Sequence, residues 1–296
     1  MNFFEKYNYL PDGNRVAERL QAIVANQDNM ASPDIFRSCF SLMDLTTLHP
    51  EDTVASVREL VGKVNSLDAE YPGYPLPASI CVFPNFSSLV RDSRKTAELH
   101  VTAVAGCFPA SQSFMEVKVK EAEMAVENGA DEVDIVLALN SFLAGDYESA
   151  FREISEIRQA VDKVASGSGR KVVLKVILET GVLRTIENIA NASFLAMEAG
   201  ADFIKTSTGK VSVNATPTAA YVMCECIKAF HEVTGRAVGF KAAGGISNAQ
   251  DALAYYCIGL AVLGKDWMNK ERFRFGVSRL GNSLMSAIEQ ETVTYF

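Results

Sequence analysis

The sequence predicts a (β/α)8 TIM barrel with extra helices at its N-terminus. Three observations carry that prediction. First, eight short apolar or β-branched runs punctuate the chain: "SCFSLMDLT" (38–46), "ASICVFP" (78–84), "HVTAVAG" (100–106), "DEVDIVLAL" (131–139), "KVVLKVILE" (171–179), "ADFIKTS" (201–207), "RAVGFKAAG" (236–244) and "RFRFGVS" (272–278). Most are continuously apolar rather than alternating, the pattern of parallel strands covered on both faces. Second, stretches with helical spacing separate most of them. Third, no GxGxxG loop follows the first run, which disfavours an open doubly wound sheet.

The elements follow in order. Residues 1–36 are expected to form helices outside the barrel. The proline-rich segment "LDAEYPGYPLP" (67–77) reads as a loop within the domain. "SFMEVKVKEAEMAVENGA" has helical spacing and stops at Asn128-Gly129. "NIANASFLAMEAGA" stops at Gly200, and "SNAQDALAYYCIGLAVLG" opens with Ser/Asn capping residues and stops at Gly264. Residues 281–296 read as a helix end and a disordered tail. No linker divides the chain, so 1–296 reads as a single domain.

Composition narrows the function. Hydrophobic residues make up 48% of the 296, enough for a large core. The formal net charge of -8 argues against a nucleic-acid-binding surface. No stretch reaches the roughly 20 uninterrupted apolar residues of a membrane span, and the N-terminus lacks a signal-peptide plan. The six cysteines are scattered without metal or redox spacing, and the three histidines show no ligand spacing. A cytoplasmic protein with reduced thiols and no metal or organic cofactor is expected. Helix faces on a barrel permit a homodimer.

Barrel enzymes place their chemistry at the C-terminal ends of the strands. Among the charged residues of the apolar runs, Asp44 ends the first, Asp134 lies in the fourth, Lys175 in the fifth, Lys205 ends the sixth and Lys241 ends the seventh. An isolated charge in such a run is costly. Any one of them could be a structural ion pair, but together they point to one shared polar site. A lysine attacks a carbonyl only when neutral, and its free pKa is about 10.4. Lowering that to about 7 requires about 4 kcal/mol. A second ammonium about 4–5 Å away supplies roughly 3–4 kcal/mol at an effective dielectric of about 20, and burial adds to it. Lys205 and Lys241, on neighbouring predicted strands, suit such a Schiff-base pair, with Asp134 to move protons.

An anion site is expected beside them. Lys205 is followed by Thr206-Ser207-Thr208-Gly209-Lys210, Lys241 by Ala242-Ala243-Gly244-Gly245, and the eighth run ends Gly276-Val277-Ser278-Arg279. Turns of this kind expose backbone N–H groups, and the loops after the seventh and eighth strands are the usual phosphate site of a barrel.

Taken together, "DLTTL" (44–48), "CVFP" (81–84), "GADEVDIV" (129–136), "LKVILETG" (174–181), "AGADFIKTSTGKVSVNATP" (199–217), "GFKAAGG" (239–245) and "RFGVS" (274–278) resemble the deoxyribose-phosphate aldolase family. The resemblance spans about residues 40 to 280. It implies a class I aldehyde-lyase that reversibly cleaves 2-deoxy-D-ribose 5-phosphate to D-glyceraldehyde 3-phosphate and acetaldehyde, in deoxyribonucleotide breakdown. Lys205 matches the Schiff-base lysine, Asp134 the proton-shuttling aspartate and Lys241 the second lysine. Asp44 matches the aspartate that orients a substrate hydroxyl; Thr46, Lys175 and Thr208 match substrate-side positions. Gly209, Lys210, Gly244, Gly245, Gly276 and Ser278 match the phosphate site. Arg279 departs from the pattern, standing where a serine is common. Two rivals remain: a Schiff-base barrel enzyme acting on a longer keto-sugar phosphate, and a sugar-phosphate-binding protein without catalysis.

Overall fold

The computed structural model describes residues 2–296. Eight parallel strands close into a barrel in sequence order. They are β1 (Met43–Thr46), β2 (Ser79–Val82), β3 (His100–Val104), β4 (Glu132–Val136), β5 (Val173–Ile177), β6 (Phe203–Lys205), β7 (Gly239–Ala243) and β8 (Phe273–Val277). β8 returns to pair with β1, matching Asp44 with Gly276. Helices cover the outside, so the strands are buried on both faces, as their continuous apolar runs require. No helix among the described residues is long and apolar enough to cross a membrane.

Local chemistry sets the helix boundaries. The helix Met115–Glu127 ends at Asn128, followed by Gly129 at φ +101°. The helix Ala249–Leu263 starts at Asn248, whose side chain accepts from the Asp251 N–H, and stops at Gly264.

The first run departs from expectation. Residues 38–41 are the last turn of the helix Pro33–Ser41, and only Met43–Thr46 is strand. Ser32 caps the helix and Pro33 occupies its first turn, both strong start signals. Phe36, Cys39 and Phe40 then fall on one buried face at helical spacing. Apolar content alone could not separate that face from the strand beyond it.

The N-terminal extension packs against the barrel's outer helices. Tyr7 stacks on Phe194 with ring centroids 4.6 Å apart, and its hydroxyl donates to Glu198 at 2.8 Å. The C-terminus is also docked, contrary to the disordered tail expected. The Tyr295 hydroxyl donates to the Lys63 carbonyl at 2.6 Å, and Asn282 bonds the backbone of Tyr295 and Phe296. The Phe296 ring packs 6.2 Å from Phe40. These contacts hold Tyr295 on the outside of the barrel, facing the helix Val54–Glu70.

Candidate active site

Residues two apart on a strand share a face. Glu132 and Asp134 on β4 therefore point the same way, into the barrel, and meet the buried side chains of the other strands. Asp44, Lys175, Lys241, Glu132 and Asp134 are completely buried, and Arg274 and Lys205 nearly so. Their contacts form one continuous cluster. Lys175 pairs with Asp134 at 2.9 Å, with Asp44 at 3.5 Å and closely with Glu132. Lys241 pairs with Asp134 at 2.8 Å and with Asp44. Arg274 pairs with Glu132 at 2.7 Å and with Asp44. Lys205 has one anionic partner, Asp134, at 2.9 Å.

The strand register explains the convergence. Asp134 lies opposite Lys175, Lys205 opposite Lys241, and Lys241 opposite Arg274. Thr206 fastens the ends of β6 and β7: its hydroxyl donates to the Ala243 carbonyl at 3.0 Å and accepts from the Ala243 N–H at 2.9 Å.

The electrostatics separate the two lysines. Burial lowers the Lys205 pKa most; Asp134 opposes that, Lys241 reinforces it, and the outcome lies below the ordinary lysine value. The direction agrees with the sequence reading, but burial, rather than Lys241, is the leading cause. Burial also disfavours the Lys241 ammonium, but Asp134 and Asp44 overcome it and raise its pKa. Lys175 is raised by the same balance, with Asp134, Asp44 and Glu132 against burial. Burial pushes the Asp134 carboxyl up, yet Lys175, Lys205 and Lys241 hold it far below the usual carboxylate range. The resting cluster thus holds ionised carboxylates, two firmly charged lysines and one lysine biased toward its free amine.

Above the cluster a cavity of about 240 Å³ opens at the C-terminal strand ends. Lys205 lines it together with Thr46, Thr208, Gly209, Lys210, Gly244, Gly245, Gly276, Ser278 and Arg279. The expected phosphate-site positions therefore share one hollow with the expected nucleophile. Asp44 and Lys175 lie beneath it among their ion partners rather than along its wall. Lys210 arches across the mouth, where its ammonium donates to the Leu48 carbonyl at 2.5 Å. A larger groove of about 580 Å³ between the outer helices, lined by Tyr9, Arg15 and Glu225, contains none of these residues.

Gly244 and Gly276 have definite reasons to be glycine. Gly244 has φ +84°, and a Cβ there would stand 2.6 Å from the Asn214 side chain. A Cβ on Gly276 would press on Ala243 and on the Lys241 Cε, both at 2.9 Å.

Sequence reasoning missed three charged participants. Glu132 and Arg274 complete the floor of the cluster, and Glu132 also accepts from Thr102 at 2.9 Å and meets His100 at 2.7 Å. The signal was available: Glu132 lies two residues before Asp134, hence on the same face. Arg274 similarly lies two before Gly276. The third is Glu179, just after β5, in a left-handed conformation at φ 56°. It accepts from the Thr208 N–H at 3.2 Å and the Thr208 hydroxyl at 2.5 Å, pinning the loop after β6. It closes the run 171–179, a strand-end charge, but its partner in the loop after β6 is visible only in the fold.

Comparison with known proteins gives a consistent result. The DeoC/LacD family aldolase profile matches residues 39–269. A Caenorhabditis elegans protein, provisionally named deoxyribose-phosphate aldolase, is 38% identical over 271 residues, 91% of this chain and 86% of its own. The tetrameric structure of deoxyribose phosphate aldolase from Aeropyrum pernix is similar with a TM-score of 0.64 at 25% identity, covering 95% of this chain and 98% of that one. The structure of QR15, an aldolase, gives 0.65 at 29% identity, covering 85% and 95%.

Proposed function

Because the chain belongs to the DeoC/LacD family of aldolases, we propose that it cleaves 2-deoxy-D-ribose 5-phosphate reversibly to D-glyceraldehyde 3-phosphate and acetaldehyde. The observation that carries the reading is the position of Lys205. It is a buried amine, biased toward neutrality, at the boundary between a charged floor and a cavity rimmed with glycine loops. The names of the relatives point to the same substrate class.

The chemistry follows from that position. The free amine of Lys205 attacks the aldehyde carbon of the open-chain sugar. Loss of water gives an iminium, which draws electrons from the adjacent carbon. The hydroxyl on the third carbon loses its proton, and the bond between the second and third carbons breaks. Glyceraldehyde 3-phosphate departs, leaving an enamine on Lys205. Protonation of the enamine carbon and hydrolysis release acetaldehyde and regenerate the amine.

Asp134 is a weak base at rest, because three lysines hold it ionised at low pKa. Its role is that of a relay: a proton arriving through water is passed on along its hydrogen bonds to the cluster. Lys241 stays charged and steadies Asp134. Backbone N–H groups around Gly209, Gly244, Gly245, Gly276 and Ser278 receive the phosphate, with Lys210 and Arg279 beside them. Thr46 and Thr208 lie within reach of the carbon chain. The reading needs no metal or organic cofactor, and it carries the expectation of a cytoplasmic enzyme of deoxyribonucleoside breakdown. A homodimer is the assembly proposed with it, testable by light scattering.

The test is borohydride trapping with acetaldehyde, followed by peptide mass mapping. The expected result is a single reduced two-carbon adduct on Lys205. An adduct on another lysine, or none, overturns the mechanism; a Lys205 adduct without cleavage of 2-deoxyribose 5-phosphate overturns the substrate.

A further inference from the structure

The buried cluster has an uneven charge count. Its cations are Lys175, Lys205, Lys241 and Arg274; its anions are Asp44, Glu132 and Asp134. Four cations face three anions, so one cation exceeds the neutral balance. Three of them each pair with at least two carboxylates, whereas Lys205 pairs with one that it shares with Lys175 and Lys241. In a medium that cannot solvate a net charge, the surplus proton is lost from the least compensated site.

Of that count only Lys205 lines the cavity. Arg274 and Glu132 lie at the closed end of the barrel, where the guanidinium bridges Asp44 and Glu132 and packs over the Phe203 ring. They reach Lys205 only through others: Glu132 through Lys175 and Asp134, and Arg274 through Asp44, Lys241 and Asp134.

We propose that Arg274 and Glu132 are positioning residues that fix the charge balance of the catalytic cluster, so that Lys205 is the lysine left free of its proton. The proposal rests on the aldolase reading, since it concerns the amine used there. The groups facing Lys205 are Asp134 on β4, Lys241 on β7 and Cys81 on β2. Behind them stand Asp44 on β1, Lys175 on β5, Glu132 and Arg274, with His100 on β3 touching Glu132 at 2.7 Å. Burial raises the Cys81 thiol pKa and keeps it out of the anion count. His100 opens β3 and is partly exposed, so it stands at the solvent edge of the cluster rather than inside it.

The count makes opposite forecasts for two substitutions and a third for their combination. Arg274→Gln removes a cation, and Lys205 restores the balance by keeping its proton. Glu132→Gln removes an anion, and Lys205 releases its proton more readily. Together they remove one charge of each sign and leave the balance unchanged. The experiment is the pH profile of kcat/KM for 2-deoxyribose 5-phosphate cleavage, with folding checked by circular dichroism. Arg274→Gln is expected to move the acid limb up by about one pH unit or more, a tenfold loss at a fixed pH on that limb. Glu132→Gln is expected to move it down, and the double variant to return it to the wild-type position, whatever the height of the profile. Arg274→Lys, which keeps the charge, is expected to hold the limb in place.

Folded single variants with an unmoved limb overturn the proposal, as does a double variant displaced as far as either single one. If Arg274→Gln fails to fold, Glu132→Gln and the double variant decide the question. Absence of any trapped adduct on Lys205 in the wild-type protein, at any pH, overturns the aldolase reading instead.

Discussion

Lys205 and Lys241 lie opposite each other on neighbouring strands and donate to the same oxygen of Asp134, at 2.9 and 2.8 Å. The two ammonium positions are chemically unequal despite that symmetry. Asp44 gives Lys241 a second carboxylate, whereas Lys205 has Asp134 alone. Lys241 is therefore the more firmly anchored charge, and Lys205 is the amine that the proposed mechanism uses.

Replacing the anchored charge separates those roles. Lys241→Leu leaves Asp44 and Asp134 short of a cation. Breaking a buried ion pair by removing one partner costs about 3–5 kcal/mol, so a lower melting temperature is expected. Near neutral pH, kcat/KM is expected to fall by about a hundredfold or more, the lower range for loss of a positioned proton-transfer group. Wild-type rates in a folded Lys241→Leu protein would remove Lys241 from the mechanism.

Acid should dissolve the floor of the barrel. The carboxyl pKa values of Asp44, Glu132 and Asp134 are all held below the ordinary carboxylate range by the neighbouring cations, against the opposing effect of burial. Below that range, at about pH 4, the unfolded chain takes up protons that the folded chain refuses. Stability is therefore full above this range and drops as pH falls through it toward the lowered values. Urea melts at successive pH values should show that slope. Asp134→Asn should flatten it, although it lowers stability at pH 7.

Lys205 gives the opposite kind of pH signature. Because the Lys205 pKa is lowered, its neutral fraction rises at a pH below the ordinary lysine value of about 10.4. Acetaldehyde trapping at Lys205 should reach half its maximum below that pH. A half-maximum at the ordinary lysine value would mean that the barrel does not activate this amine.

The rim offers a test that leaves the amine alone. Gly244→Ala forces a side chain into a left-handed position and against Asn214, a strain of about 1–3 kcal/mol. About a tenfold rise in KM for the phosphorylated sugar is expected, with acetaldehyde trapping at Lys205 unchanged. Equal damage to both would show that the loop supports the floor as well as the phosphate.

Arg279 offers a milder version. It is exposed beside Ser278 at the cavity mouth, where a single cation contributes roughly 0.5–1 kcal/mol. Arg279→Ser should raise KM for the phosphorylated sugar roughly two- to fivefold in dilute buffer, and the difference should shrink as salt is added. A difference independent of salt would argue that Arg279 acts by shape.

The sequence reveals the barrel because strands buried on both faces must be apolar along their whole length, and charges in them stand out. Lys205, Lys241 and Asp134 were legible on that ground. Residues 38–41 were not, because a helix face against the core and a buried strand have similar composition. Glu132 and Arg274 were overlooked for a related reason: both lie near strand beginnings, where a charge ordinarily meets solvent. The two-residue spacing puts Glu132 on the face of Asp134, and the closed barrel shows where Arg274 meets it. Glu179 was illegible because its task depends on a backbone turn rather than on its neighbours in sequence. Tyr295 was misjudged because a short polar tail usually frays, and here Asn282 and the Lys63 carbonyl hold it.

Every charged member of the floor comes from a strand, whereas most of the rim comes from the loops beyond the strands. The Thr206–Ala243 clasp marks the border between the two. The charged floor and the cavity rim are thus written in separate parts of the chain. An engineer or natural selection can lengthen, shorten or recharge the rim loops to admit a different ligand while inheriting the buried cluster and Lys205 intact.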